Sequence, residues 1–175
     1  FNKDKSALAV YPFGKSLDDT IEGYSIPQGV KTICTFAFAG YHYGNIEFPA
    51  GLTDIEDYAF YYAKIKKAIL PDGVTSVGNY AFGGCSQMTE LYIPKSAENC
   101  GKKSSVITRC TALEKITAPS NVLQSSMSFT SLKELVINGG TSSMGSLSGC
   151  ENLQTVALPE GLTDITTRAF KGCKN

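Results

Sequence analysis

The stretch LPDGVTSVGNYAFGGC (Leu70–Cys85) decides the fold, because the chain says nearly the same thing elsewhere. FPAGLTDIEDYAFYYA (Phe48–Ala63) and IPQGVKTICTFAFAGY (Ile26–Tyr41) precede it, and LPEGLTDITTRAFKGC (Leu158–Cys173) follows near the end. Anchoring on the Pro after each apolar alternation gives Pro27, Pro49, Pro71, Pro94, Pro119 and Pro159, with Asn138 standing in for a missing Pro. The steps are 22, 22, 23, 25, 19 and 21 residues. A period of this size marks units that cannot bury their own apolar face and must stack.

Before each anchor the pattern is apolar-x-x-apolar-x-apolar. Met88-Leu91-Ile93, Leu113-Ile116-Ala118, Leu132-Leu135-Ile137 and Leu153-Val156-Leu158 are the clearest cases. Ile21-Tyr24-Ile26, Tyr43-Ile46-Phe48 and Ile65-Ala68-Leu70 bring the rungs to seven. Alternation with period two predicts a short strand with one face buried. Stacked turns place these strands in a parallel sheet about 4.8 Å apart. Pro cannot donate to the ladder and ends each strand. PQGV, PAGL, PDGV and PEGL then turn the corner, with Pro presetting φ and Gly expected at the last turn position. Val30/Ile33, Leu52/Ile55, Val74/Val77 and Leu162/Ile165 return inward, and Phe38, Phe60, Phe82 and Phe170 should form a column of rings beside small Ala residues.

These residues resemble the BspA-like leucine-rich repeat, in its apolar-x-x-[LI]-x-[IL]-P…G-[VL]-x-x-I…A-F-x-x-C unit. LAVYPFGK (Leu8–Lys15) is similar to the segment that leads into the first repeat of such proteins. The pattern weakens between Lys95 and Gly149, where Val106-Ile107 and Ser146-Leu147 replace Ala-Phe. The predicted fold is a leucine-rich repeat solenoid, mostly β. It has about seven right-handed turns, an inner parallel sheet, and irregular or short-strand outer segments. Residues 1–23 are expected to form a cap, as a hairpin or a partial turn, and residues 24–175 the solenoid, in one domain overall. The resemblance implies export, display at a bacterial cell surface and a role in binding or adhesion, with signal and anchor outside this chain. It supplies no catalytic residues.

Composition narrows the function classes. Sixteen basic and sixteen acidic residues cancel among 175, so no charge footprint points to nucleic acid or anionic lipid. No run approaches the roughly 18 apolar residues of a membrane span. NGGTSSMG (Asn138–Gly145) lacks the Lys and spacing of a phosphate loop. The six Cys show no metal-ligand spacing. Cys85, Cys110, Cys150 and Cys173 share a repeat position with Tyr41 and Ala63, which reads as packing. Cys34 and Cys100 fall outside that column and have no evident role. His42, the single histidine, reads as a solvated turn residue rather than an acid–base group. No enzyme, cofactor or metal is expected.

Candidate partner contacts lie on two faces. On the inner sheet, Lys67-Glu90-Lys115-Glu134 forms a column of alternating sign, and Ile69-Tyr92-Thr117-Val136-Ala157 a mildly apolar one. Two readings stay open there: a partner-binding strip with Tyr92 as anchor, or a self-satisfied charge ladder beside good β-formers. On the other side Phe36, Tyr58 and Tyr80 form a row. Tyr61 and Tyr62, with Tyr41 and Tyr43, make the first repeats unusually aromatic. Such a row can stack on sugars or a protein groove, or on itself. Lys95–Ser105 reads as a polar loop that displaces a corner. The function expected is a non-enzymatic binding module for a protein or glycan, the alternative a spacer within a larger surface protein. An open C-terminal edge would also invite a second copy of the chain.

Overall fold

The computed structural model describes residues 1–10, 23–42, 44–101, 105–123, 128–167 and 169–173. Seven short strands follow the repeat: Gly23–Ser25, Asn45–Glu47, Lys67–Ile69, Glu90–Tyr92, Lys115–Ala118, Glu134–Ile137 and Thr155–Ala157. They run in chain order, the first two paired in one sheet and the last five in another, all parallel. The middle residue of each strand points inward, and Ile46, Ala68, Leu91, Ile116 and Leu135 are buried. Among the described residues these seven strands mark out about six turns of the coil, one fewer than expected.

Each Pro ends its strand and opens a tight corner. The Pro carbonyl accepts from the backbone N–H three residues on, at 3.0 Å for Val30, 3.1 Å for Leu52 and 3.1 Å for Val74. Pro is therefore the first residue of the turn and the following Gly the third, not the last. None of Gly29, Gly51, Gly73 and Gly161 lies in the left-handed region, and a Cβ at Gly29 or Gly161 would meet nothing within 4 Å. The corner needs Gly for neither φ nor space.

After the corner comes a second parallel ladder of two-residue strands: Ala7–Leu8, Thr32–Ile33, Asp54–Ile55, Ser76–Val77 and Asn99–Cys100. A separate pair, Ser143–Met144 with Asp164–Ile165, continues the pattern further along. One expectation is corrected here. Lys95–Ser105 does not displace a corner: Ala97 N donates to Pro94 O at 3.0 Å, and Ala97 and Cys100 supply the buried inward pair. Cys100 pairs in register with Val77 and takes its place, which gives this thiol the role the sequence left open. In the cap, Ala7–Leu8 pairs parallel with Thr32–Ile33, so the described part is a partial turn and not a hairpin. The rest of the cap, including Tyr11–Lys15 of the lead-in segment, lies outside the described residues, as do Tyr43 and residues 102–104 of the polar stretch.

A third ladder closes the coil. Phe38, Phe60 and Phe82 donate to the carbonyls of Ala59, Ala81 and Val106 on the next turn, at 2.7, 2.7 and 3.1 Å. Two residues on, Gly40, Tyr62 and Gly84 donate to Tyr61, Gly83 and Thr108 at 2.8, 2.8 and 2.7 Å. With three ladders the backbone finds partners on all three sides of these turns, and a 3-10 helix at Ser120–Leu123 follows the corner of Pro119. The Phe column forms as read: Phe38–Phe60 and Phe60–Phe82 stack at 5.0 and 5.1 Å with rings within 5° of parallel. Phe170 is only partly buried at the far end. There Val156, Leu158 and Ile165, at inward positions, are 39, 41 and 49% exposed.

Candidate binding surface

The inner sheet matches its own charges. Lys67 Nζ lies 2.7 Å from Glu90, and Lys115 Nζ lies 3.1 Å from Glu134. A further pair, Lys133–Glu114 at 2.9 Å, sits at the strand starts. The register sets Ile69, Tyr92, Thr117, Val136 and Ala157 side by side. Tyr92 O–H donates to Asp72 Oδ1 at 3.1 Å, a contact between a strand and the preceding corner that the sequence did not announce. Partial burial, and then that carboxylate, raise the Tyr92 pKa. Exposed pairs of this kind are worth about 0–1 kcal/mol each. The charges of these four rungs are therefore paired with one another, and Ile69 is an exposed large apolar residue beside them.

The ladder of tight turns carries a different surface. Phe36, Tyr58 and Tyr80 stack at 5.1 and 5.3 Å, and all three adopt left-handed φ near 55° (58, 58 and 53°). Tyr61 stands edge-on to Tyr58 at 5.3 Å and to Tyr62 at 4.5 Å. The two tyrosines lie over a glycine seat. A Cβ at Gly83 would come within 3.1 Å of the Tyr61 ring, and one at Gly84 within 2.7 Å of the Tyr62 ring. One turn further on, Arg109 Nη1 donates to Tyr62 Oη at 3.0 Å. These rings and the guanidinium enclose an open cleft of about 420 Å³.

Tyr62 and Arg109 share a backbone position with Gly40 and Gly84, and both take the left-handed conformation, φ 56°, that glycine adopts there at 70 and 75°. An L-residue in that region costs roughly 1–2 kcal/mol. Strain of this kind gathers at functional sites. Tyr61 and Tyr62 were visible as an aromatic cluster; Arg109, Gly83 and Gly84 were missed. Aligning Tyr61-Tyr62-Ala63, Gly83-Gly84-Cys85 and Thr108-Arg109-Cys110 on the small-residue column would have put all of them at one place.

Elsewhere polar groups hold turns together. Glu56 accepts from Thr35 N at 2.8 Å, and Asp57 from Asn79 N at 2.6 Å, so these two acidic residues bind the backbone of neighbouring turns. The thiols of the small-residue column do likewise: Cys85 and Cys110 donate to the carbonyls of Phe60 and Phe82 at 3.2 and 3.1 Å. All six cysteines are free, and burial pushes the Cys110 thiol up to about 11 and Cys100 up to about 12. His42 is exposed. Among the described residues no three His, Cys, Asp or Glu side chains gather as metal ligands do, and no helix is long and apolar enough to cross a membrane.

The BspA-type leucine-rich repeat region matches residues 16–136 and 124–175, in six copies that agree with the six turns between strands. The chain belongs to the BspA-type leucine-rich repeat family. Members are built from repeats of a protein-interaction type on a generally non-catalytic solenoid. The fold is similar to that of a leucine-rich repeat protein from Eubacterium ventriosum, with 23% identity and a TM-score of 0.68 over 100% of this chain and 48% of that one. It is also similar to a leucine-rich repeat protein of T. pallidum, with 18% identity and a TM-score of 0.54 over 89% and 84% of the two chains. The present chain thus spans about half the length of the Eubacterium protein. A search of curated proteins finds no match.

Proposed function

We propose that this BspA-type solenoid is a non-enzymatic binding module of a secreted or surface-displayed bacterial protein, holding a protein or glycan partner. The observation that carries the reading is the Tyr61–Tyr62 cleft. Two residues there accept left-handed backbone strain where neighbouring turns use Gly, and together they expose aromatic faces beside a cation. A spacer needs only stacked turns and gains nothing from such strain. The inner strip of Lys67, Glu90, Lys115 and Glu134 contributes less to this reading, because its charges already satisfy one another. Secretion rests on the family's usual setting.

The test is an immobilised array of host matrix proteins and glycans probed with the chain and with its Tyr61→Ala/Tyr62→Gly double variant. A signal that the double variant loses supports the module. A blank array up to high micromolar concentration, with the fold intact, favours the spacer.

A further inference from the structure

The cleft has a chemistry more specific than aromatic stacking. Arg109 carries five N–H donors in a planar fork, and the one described contact of its guanidinium is the neutral Tyr62 hydroxyl. No carboxylate pairs with it among the described residues. That contrasts with the inner sheet, where Lys67 and Lys115 each have a Glu. An uncompensated cation held in place against tyrosines is complementary to a planar anion, which a guanidinium binds through two parallel hydrogen bonds.

The rest of the cleft specifies what the anion is attached to. Tyr58 and Tyr80 form a stacked floor, while Tyr61 stands across it, edge to face with Tyr58 and Tyr62. Tyr58 is covered on both sides by Phe36 and Tyr80, so the most exposed ring of the cleft is Tyr62, and that ring suits the flat C–H face of a pyranose. A peptide added as a strand would need main-chain partners instead. Two N–H groups beneath the cleft are already taken, Tyr62 N by Gly83 O and Gly84 N by Thr108 O. The volume of about 420 Å³ lies in the range of small-ligand sites.

Building on the binding-module reading, we propose that this cleft binds a glycan through a uronic acid residue. The sugar ring lies against the tyrosines and its carboxylate pairs with the free side of the Arg109 fork. Arg109 and Tyr62 determine specificity, and Gly84 keeps the space in which the Tyr62 ring lies.

The experiment is an amide-resolved NMR titration of the chain with glucuronate- and galacturonate-containing tetrasaccharides and with their carboxyl-reduced counterparts. Acidic oligosaccharide should move the amides of Tyr61, Tyr62 and Arg109. Reduction of the carboxyl should weaken binding about tenfold or more, as for loss of a charge-assisted pair. Arg109→Asn tolerates the left-handed backbone and should bring the acidic sugars down to the level of the reduced ones. Tyr62→Gly, which installs the residue used at that place in other turns, should remove binding of both while shifts outside the cleft stay in place. Equal binding of acidic and reduced sugars at these amides overturns the carboxylate assignment and leaves the binding module standing. A shift of the cleft amides by a Glu-rich peptide but by no sugar overturns the glycan assignment. No cleft response to any sugar, alongside an array partner that does bind, overturns the inference alone; a blank on both counts removes the module as well.

Discussion

Gly84 lies directly beneath the ring of Tyr62: a Cβ built on Gly84 would stand 2.7 Å from Tyr62 Cδ1. Residues 22 apart in the chain are thus fitted one turn over the next, the larger only because the smaller has no side chain. Gly84→Ala should lift the Tyr62 ring off its seat and add left-handed strain at φ 75°. We expect a stability loss of roughly 1–2 kcal/mol, read by urea unfolding, with a changed near-UV tyrosine signal. An unchanged tyrosine signal would mean that the ring does not rest there.

Tyr62→Gly should behave in the opposite sense. It relieves an L-residue at φ 56°, worth roughly 1–2 kcal/mol, and gives up the Tyr61–Tyr62 contact, worth about 0.5–1.5 kcal/mol. The expected change in stability runs from a loss of about 0.5 to a gain of about 1.5 kcal/mol, by urea unfolding. A loss of several kcal/mol would make Tyr62 a structural residue instead.

Phe82→Ala should cost roughly 3–5 kcal/mol, as for other fully buried aromatic truncations. Because stability in a stacked array is mainly a nearest-neighbour property, hydrogen exchange should accelerate most in the turn of Phe60 and the turn of Val106-Ile107. Uniform acceleration along the whole chain would argue against turn-by-turn coupling.

Two glycines separate space from habit. Gly51 at a corner has only Gln28 O, at 3.7 Å, near its missing Cβ, so Gly51→Ala should hold or gain about 0.4–1 kcal/mol. Gly78 has Asp57 N at 2.4 Å and Glu56 C at 2.5 Å, backbone that cannot step aside. Gly78→Ala should therefore lower Tm clearly where Gly51→Ala does not.

The buried thiols predict a pH dependence. Cys110 is raised from 9.0 to about 11 in the folded chain, chiefly by burial. Between these values the unfolded chain has lost the thiol proton while the folded chain keeps it, so stability falls as pH rises, with a contribution on the order of 1 kcal/mol per pH unit. Below about pH 9 the contribution is constant. Cys110→Ala should make the decline between pH 9 and 11 shallower. A native-state thiol reagent should reach Cys34 and Cys173, which are half-exposed, before Cys85, Cys100, Cys110 and Cys150.

Periodicity made the rungs, the Phe column and the rung-to-rung ion pairs legible, because each depends on which residues recur at one spacing. It could not show backbone conformation. Phe36, Tyr58 and Tyr80 sit at positive φ with side chains that ordinarily avoid it, and no composition signal marks that. The corner Gly suggested a demand on φ that the turn does not make. Lys95–Ser105 looked polar and lengthened, yet Ala97 and Cys100 alone suffice to hold the rung, since two inward side chains per outer strand are all the stacking requires. Arg109 was hidden because its repeat had lost the Ala-Phe marker that aligns the others.

The proposed binding surface is the tyrosine cleft of the turn ladder rather than the inner sheet. The most direct measurement compares affinities of Tyr62→Gly and Lys67→Glu, each with stability checked, for the partner found on the array. Tyr62→Gly should lose about tenfold or more in affinity and Lys67→Glu less than about twofold. Intact binding by Tyr62→Gly together with a large loss in Lys67→Glu would rule out the cleft and move the site to the inner face.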